Sequence, residues 1–74
     1  MDTKHPDDIC KHFGSRVRSV RRAKDMTQED LADRANIHRT YLSALERSGS
    51  RNPTIRIVDR IAKALDVTPG SLLD

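Results

Sequence analysis

Apolar residues recur at spacings of three and four along most of this 74-residue chain, with polar residues between them. Ile9, Phe13, Val17 and Val20 follow spacings of 4, 4 and 3 and line one face of a helix expected over residues 7–24. Asp7 and Asp8 at its start and Arg21, Arg22 and Lys24 at its end complement the helix dipole. Thr27 then offers an N-cap, and Asp30 three residues later approximates a capping box. Leu31, Ala32 and Ala35 face inward on this second helix, which stops at Asn36, a residue that tolerates the left-handed conformation of a C-cap. After a turn of Asn36, Ile37 and His38, a third helix over residues 39–47 carries Leu42 and Leu45 as its buried pair. Ser48 to Pro53 read as a loop, and Thr54 caps a fourth helix whose stripe is Ile55, Val58, Ile61, Ala62 and Leu65. Thr68 and Pro69 open a short fifth helix that ends in Leu72 and Leu73. No strand-like alternation, repeat or low-complexity segment interrupts this pattern. The expectation is an all-α, compact five-helix domain over residues 7–74, preceded by a flexible tail over residues 1–6.

The second and third helices are short and only a three-residue turn separates them, so they cross steeply as a helix-turn-helix. The second supports and the third presents. With Leu42 and Leu45 inward, Arg39, Thr40 and Ser43 lie outward near the N-terminal end, the end that enters the major groove in this motif. Arg39 can donate two hydrogen bonds to guanine O6 and N7, and Thr40 can offer its methyl to thymine or its hydroxyl to a base or phosphate. Ser43 is small enough for close approach.

Charge sharpens that reading. The chain carries a formal +3, but residues 16–24 hold +5 without an acid, residues 25–38 hold −3, and residues 39–56 hold +3. Two basic blocks, rather than a mixed surface, favour a polyanionic partner. A chain of this length builds one small domain without a large catalytic cleft. Cys10 is the single cysteine, and no apolar run is long enough for a signal peptide or membrane span, so a cytoplasmic protein with no membrane partner is expected.

The stretches "RVRSVRRAKDMTQEDLA", "YLSALER" and "IAKALDVTPGSLL" resemble the lambda-repressor and Cro family (XRE-type) of bacterial and phage DNA-binding proteins, over roughly Phe13 to Leu73. Within it, "MTQEDLA" with "HRTYLSALERSGSRNPT" is similar to the controller proteins of restriction–modification systems, small homodimeric transcription regulators. The resemblance implies that Gln28 donates to a phosphate, helped by the N–H groups of that helix end. It places Arg39, Thr40 and Tyr41 at the base-reading end of the third helix, and Arg47, Arg51 and Asn52 against the DNA backbone. It also implies a buried ion pair between Arg21 and Glu46. Asn36 stands where the family usually has glycine, the loop "RSGSRNP" is longer than in some controller proteins, and Ala44 is too short to read a base by hydrogen bonding.

Plainer readings stand beside these. Tyr41 can pack over helix edges as readily as touch DNA, Phe13 is core, and two aromatics are too few for a single-strand stacking platform. Thr27, Thr54 and Thr68 are caps, Arg16, Arg18, Arg22 and Arg56 can contact phosphates but each reads more simply as a solvated charge, and Cys10 reads as an inert thiol. Cys10 and His12 point to different sides of one helix, so with His5 and His38 they form no zinc site. No phosphate loop or catalytic constellation is present, and neither an enzyme, a cofactor nor a small-molecule ligand is expected. The reading is a sequence-specific double-stranded DNA-binding transcriptional regulator, a homodimer on a palindromic operator. Ile57, Val67, Leu72 and Leu73 are the expected dimer contacts. The rival is an antitoxin-like protein-interaction module with secondary DNA binding.

Overall fold

A computed structural model describes residues 6–49 and 51–74. Among the described residues five helices follow in order: α1 (Pro6–Ala23), α2 (Gln28–Ala35), α3 (Arg39–Ser48), α4 (Ile55–Leu65) and α5 (Pro69–Leu73). The expected tail lies outside the described residues apart from Pro6, which opens α1.

Local chemistry sets the helix ends. The Thr27 hydroxyl accepts from the Asp30 amide at 3.0 Å while the Asp30 carboxylate accepts from the Thr27 amide at 3.0 Å, a complete capping box in spite of the shorter aspartate. Those bonds, the backbone one first, hold the Asp30 carboxyl below its ordinary pKa. Thr54 and Thr68 cap α4 and α5 through the amides of Ile57 and Ser71. Four successive turns leave their helices through left-handed residues, Asp25, Asn36, Gly49 and Asp66, and only one of these is glycine. Aspartate and asparagine tolerate that conformation better than other side-chain-bearing residues.

The helices close around a core whose largest fully buried side chains include Phe13, Leu31, Leu42, Leu45, Ile61, Leu65 and Leu72. α1 packs across α3 and α5, α2 packs on α3 and α4, and α5 seals the end of α4. Two residues depart from the periodic stripes. Ile9 is 53 % exposed near the N-terminal end of α1, and Ile55 is 81 % exposed as the first residue of α4. Met26, in the turn after α1, fills a core position instead. Leu72, expected at a dimer surface, has no exposure at all: α5 is a single turn docked on α1 and α4, so only one of its two leucines can point outward.

Glycine decides how closely α1 and α3 approach. A Cβ at Gly14 would collide with the Leu45 carbonyl oxygen, and one at Gly49, where φ is +64°, would lie 2.6 Å from Lys11 Cγ. α5 is tied back to α1 by polar bonds, His12 Nε2 to the Asp74 carbonyl at 2.7 Å and the Arg16 guanidinium to the Ser71 carbonyl at 3.2 Å. Replacing Gly14 with alanine forces backbone to yield at the α1–α3 crossing. The expected loss is at least about 1–3 kcal/mol, read from urea unfolding, and an unchanged midpoint would show that the crossing is looser than this geometry.

Candidate nucleic-acid interface

The site is built over one buried charge pair. Arg21 reaches from α1 under the end of α3, where Nε donates to Glu46 Oε2 at 2.8 Å and Nη2 donates to Glu46 Oε1 at 2.9 Å. Its Nη1 donates to the Met26 carbonyl at 2.7 Å, so each guanidinium nitrogen donates one hydrogen bond although Arg21 and Glu46 are only 8 % and 7 % exposed. The bonds to Glu46 outweigh burial and raise the Arg21 pKa further, keeping the guanidinium charged.

Glu46 also holds Gln28. The Gln28 Nε2 donates to Glu46 Oε1 at 3.1 Å, which orients the side chain at the first turn of α2 and leaves its second amide hydrogen outward. The amides of Gln28 and Glu29 lie at the same helix end without intrahelical acceptors, so an anion there meets side-chain and main-chain donors together.

On α3, Arg39 and Thr40 are exposed, Ser43 is half-buried on the same side, and Tyr41 is half-buried against the core. Arg39 Nε lies 3.7 Å from Glu29 Oε2 in a pair exposed on both sides, a contact weak enough to give way to a base edge. Tyr41 leans on the rim of the core, where burial pushes its phenol pKa upward against the opposing charge of Arg51. The Arg51 guanidinium stands 5.8 Å from the ring centroid. Tyr41 therefore packs with one edge, the plainer of the two readings of the sequence, and carries a cation on its face. The longer loop does not carry Arg51 away, because this stacking returns it to α3. Ala44 is 8 % exposed and adds nothing to the outer face.

Arg47 is exposed at the end of α3, and Asn52 is exposed in the following loop. Arg47 joins Arg18, Arg22, Gln28 and Ser43 around an open cleft of about 410 Å³ floored by Arg21 and Glu46. Arg18 and Arg22 thus belong to the same surface as the residues singled out from the sequence, whereas Arg16 is turned away to Ser71. Only the angular position of each arginine on α1, taken with the place where α3 crosses, could have separated them.

The expected dimer residues divide. Leu73 is 36 % exposed and shares a shallow apolar surface with Ile55, Pro69 and Val58, while Ile57 and Val67 are half-buried against the core. Leu72 is excluded by its burial, and Ile55, assigned to the core by its spacing, takes the outward place.

The pattern of a helix-turn-helix family matches residues 17–72. The control protein C.BamHI of Bacillus amyloliquefaciens is 48 % identical over 63 residues, spanning 84 % of this chain and 76 % of that protein. Among solved structures, the restriction-modification controller protein C.AhdI from Aeromonas hydrophila matches with a TM-score of 0.81 at 38 % identity, over 88 % of this chain and 96 % of that one. The controller protein C.Esp1396I, solved as a tetramer with its natural 35 base-pair operator, matches with a TM-score of 0.76 at 42 % identity, over 81 % and 78 % of the two chains.

Removing one partner of the central pair leaves a buried charge. Arg21→Ala is expected to cost about 3–5 kcal/mol of folding stability, whereas Arg21→Met combined with Glu46→Leu recovers most of it. The double variant still lacks the Gln28 anchor. It should melt near the parent temperature in calorimetry yet bind duplex DNA more weakly in fluorescence anisotropy, and parental affinity would show that Glu46 does not position Gln28 for DNA.

Proposed function

The chain belongs to the helix-turn-helix family, and from that membership we propose that it is a sequence-specific double-stranded DNA-binding transcriptional regulator. In this reading residues 7–74 form one DNA-binding domain that works in the cytoplasm as a homodimer on a palindromic operator, in the manner of a restriction–modification controller protein. It has no catalytic step. The observation that carries the reading is the outward face of α3, with Arg39, Thr40 and Ser43 beside a phosphate-sized donor site at Gln28. Arg39 reads guanine, Thr40, Tyr41 and Ser43 complete the base-facing set, and Gln28, Arg47, Arg51 and Asn52 hold the two flanking backbones. The C.Esp1396I operator complex supports a duplex partner and self-association.

Selection from a random duplex pool tests the assignment. The expected outcome is a palindromic consensus, with Arg39→Ala losing about 1–3 kcal/mol and its preference at one guanine per half-site. Arg51→Ala should weaken all sequences alike and lower the slope of log K against log salt by about 0.9. Absence of any consensus, with salt-sensitive general binding alone, would move the assignment to the protein-partner module.

Self-association is assigned to the exposed apolar surface of α4 and α5 that carries Ile55 and Leu73, with the half-buried Ile57 and Val67 as further candidates. Ile55→Asp with Leu73→Asp should convert the dimer to a monomer in sedimentation velocity and reduce operator affinity roughly 10²-fold or more, since two linked half-sites bind far better than one. A dimer that persists in the double variant would place the interface elsewhere.

A further inference from the structure

The cleft beside Gln28 does not end at Arg18. A second cleft, of about 540 Å³, continues along α1 and is lined by Lys11, Ser15, Arg18 and, across from them, Arg47, Ser48 and Gly49. The two share Arg18, Glu46 and Arg47, so together they form one groove between α1 and the C-terminal end of α3. Lys11, Ser15, Arg18 and Arg22 follow spacings of 4, 3 and 4, which places them in a single row on α1.

Among the described side chains, the groove is cationic without compensation. Lys11, Arg18, Arg22 and Arg47 are all exposed, and among the described residues no carboxylate pairs with any of them. Glu46 is the one acid in the lining, and it is buried and engaged by Arg21 and Gln28. Concentrating like charges this way raises the energy of the unliganded surface and is relieved by a polyanion lying along it. The row from Lys11 to Arg22 extends about 16 Å at 1.5 Å per residue. That is the axial rise of about five nucleotides of one DNA strand.

We infer that this α1–α3 groove is a second backbone track, in which the DNA strand held at Gln28 continues past the read base pairs and is gripped at its phosphates by Arg22, Arg18, Arg47 and Lys11. The inference rests on the duplex-binding reading above. The track adds affinity and register but no base preference, because its contacts reach only phosphates. It also gives Arg47 and the basic first block of the sequence one shared role.

The test compares two triple variants of equal charge, Lys11→Gln/Arg18→Gln/Arg22→Gln in the groove and Arg34→Gln/Arg60→Gln/Lys63→Gln on a separate surface. Both replace exposed side chains, and each variant is first checked for folding by calorimetry. Binding is measured by anisotropy against the duplex selected from the random pool and an unselected duplex of equal length, from 50 to 300 mM salt. The groove variant should lower the salt slope by roughly two to three, at about 0.9 per phosphate contact, on both duplexes. Its selected consensus should be that of the parent, and the control variant should keep the parental slope. Equal slopes for the groove variant and the parent, or equal losses in both variants, would overturn the inference while leaving the regulator reading intact. A parent protein that selects no duplex at all would remove both.

Discussion

The rest of the molecule depends on the buried Arg21–Glu46 pair. Taking two charges out of water is costly, and the cost is offset here because each guanidinium nitrogen of Arg21 finds an acceptor, two on Glu46 and one on the Met26 carbonyl. The bidentate geometry fixes the end of α3 against the end of α1, and the third bond secures the turn that leads into α2. Through Glu46 the same network reaches Gln28. A single carboxylate therefore links the packing of three helices to the placement of a proposed phosphate donor, and an error of geometry at the pair is transmitted to the surface.

That network works only because α1 and α3 come unusually close. Gly14 lets the α1 backbone meet the Leu45 carbonyl, and Gly49 turns the chain left-handed beneath Lys11. The approach shortens the distance Arg21 must span and leaves the groove on the outer side of the crossing. A domain this small buries little apolar surface in total, so close helix contact, the threonine caps of α2, α4 and α5 and the paired buried charges each carry a large share of its margin of stability.

Charge placement on α1 shows how one helix serves several surfaces. Arg16, Arg18, Arg21 and Arg22 are neighbours in sequence, yet Arg16 ties down α5, Arg21 is buried, and Arg18 and Arg22 face the cleft. The helical period of 3.6 separates them, and each neighbouring element converts an angle into a role.

The five helices, their caps and the steep turn between α2 and α3 were legible in the sequence because they follow from nearest-neighbour chemistry: period, capping side chains and residues that tolerate positive φ. The outward position of Arg39 and Thr40 followed from the same period, since Leu42 and Leu45 must be inside. The ion pair was reached by family resemblance, and its geometry, with Gln28 attached, was not. Three things were decided only by tertiary structure. Ile9 and Ile55 lie on their apolar stripes yet are exposed near the helix starts, and Leu72 rather than Leu73 fills the end of the core. Arg18 and Arg22 became part of the candidate interface only when α3 crossed beside them. A sequence period specifies the face of a helix on which a residue sits. Whether that face is covered, and by which charge, depends on where another helix ends, which no local pattern contains.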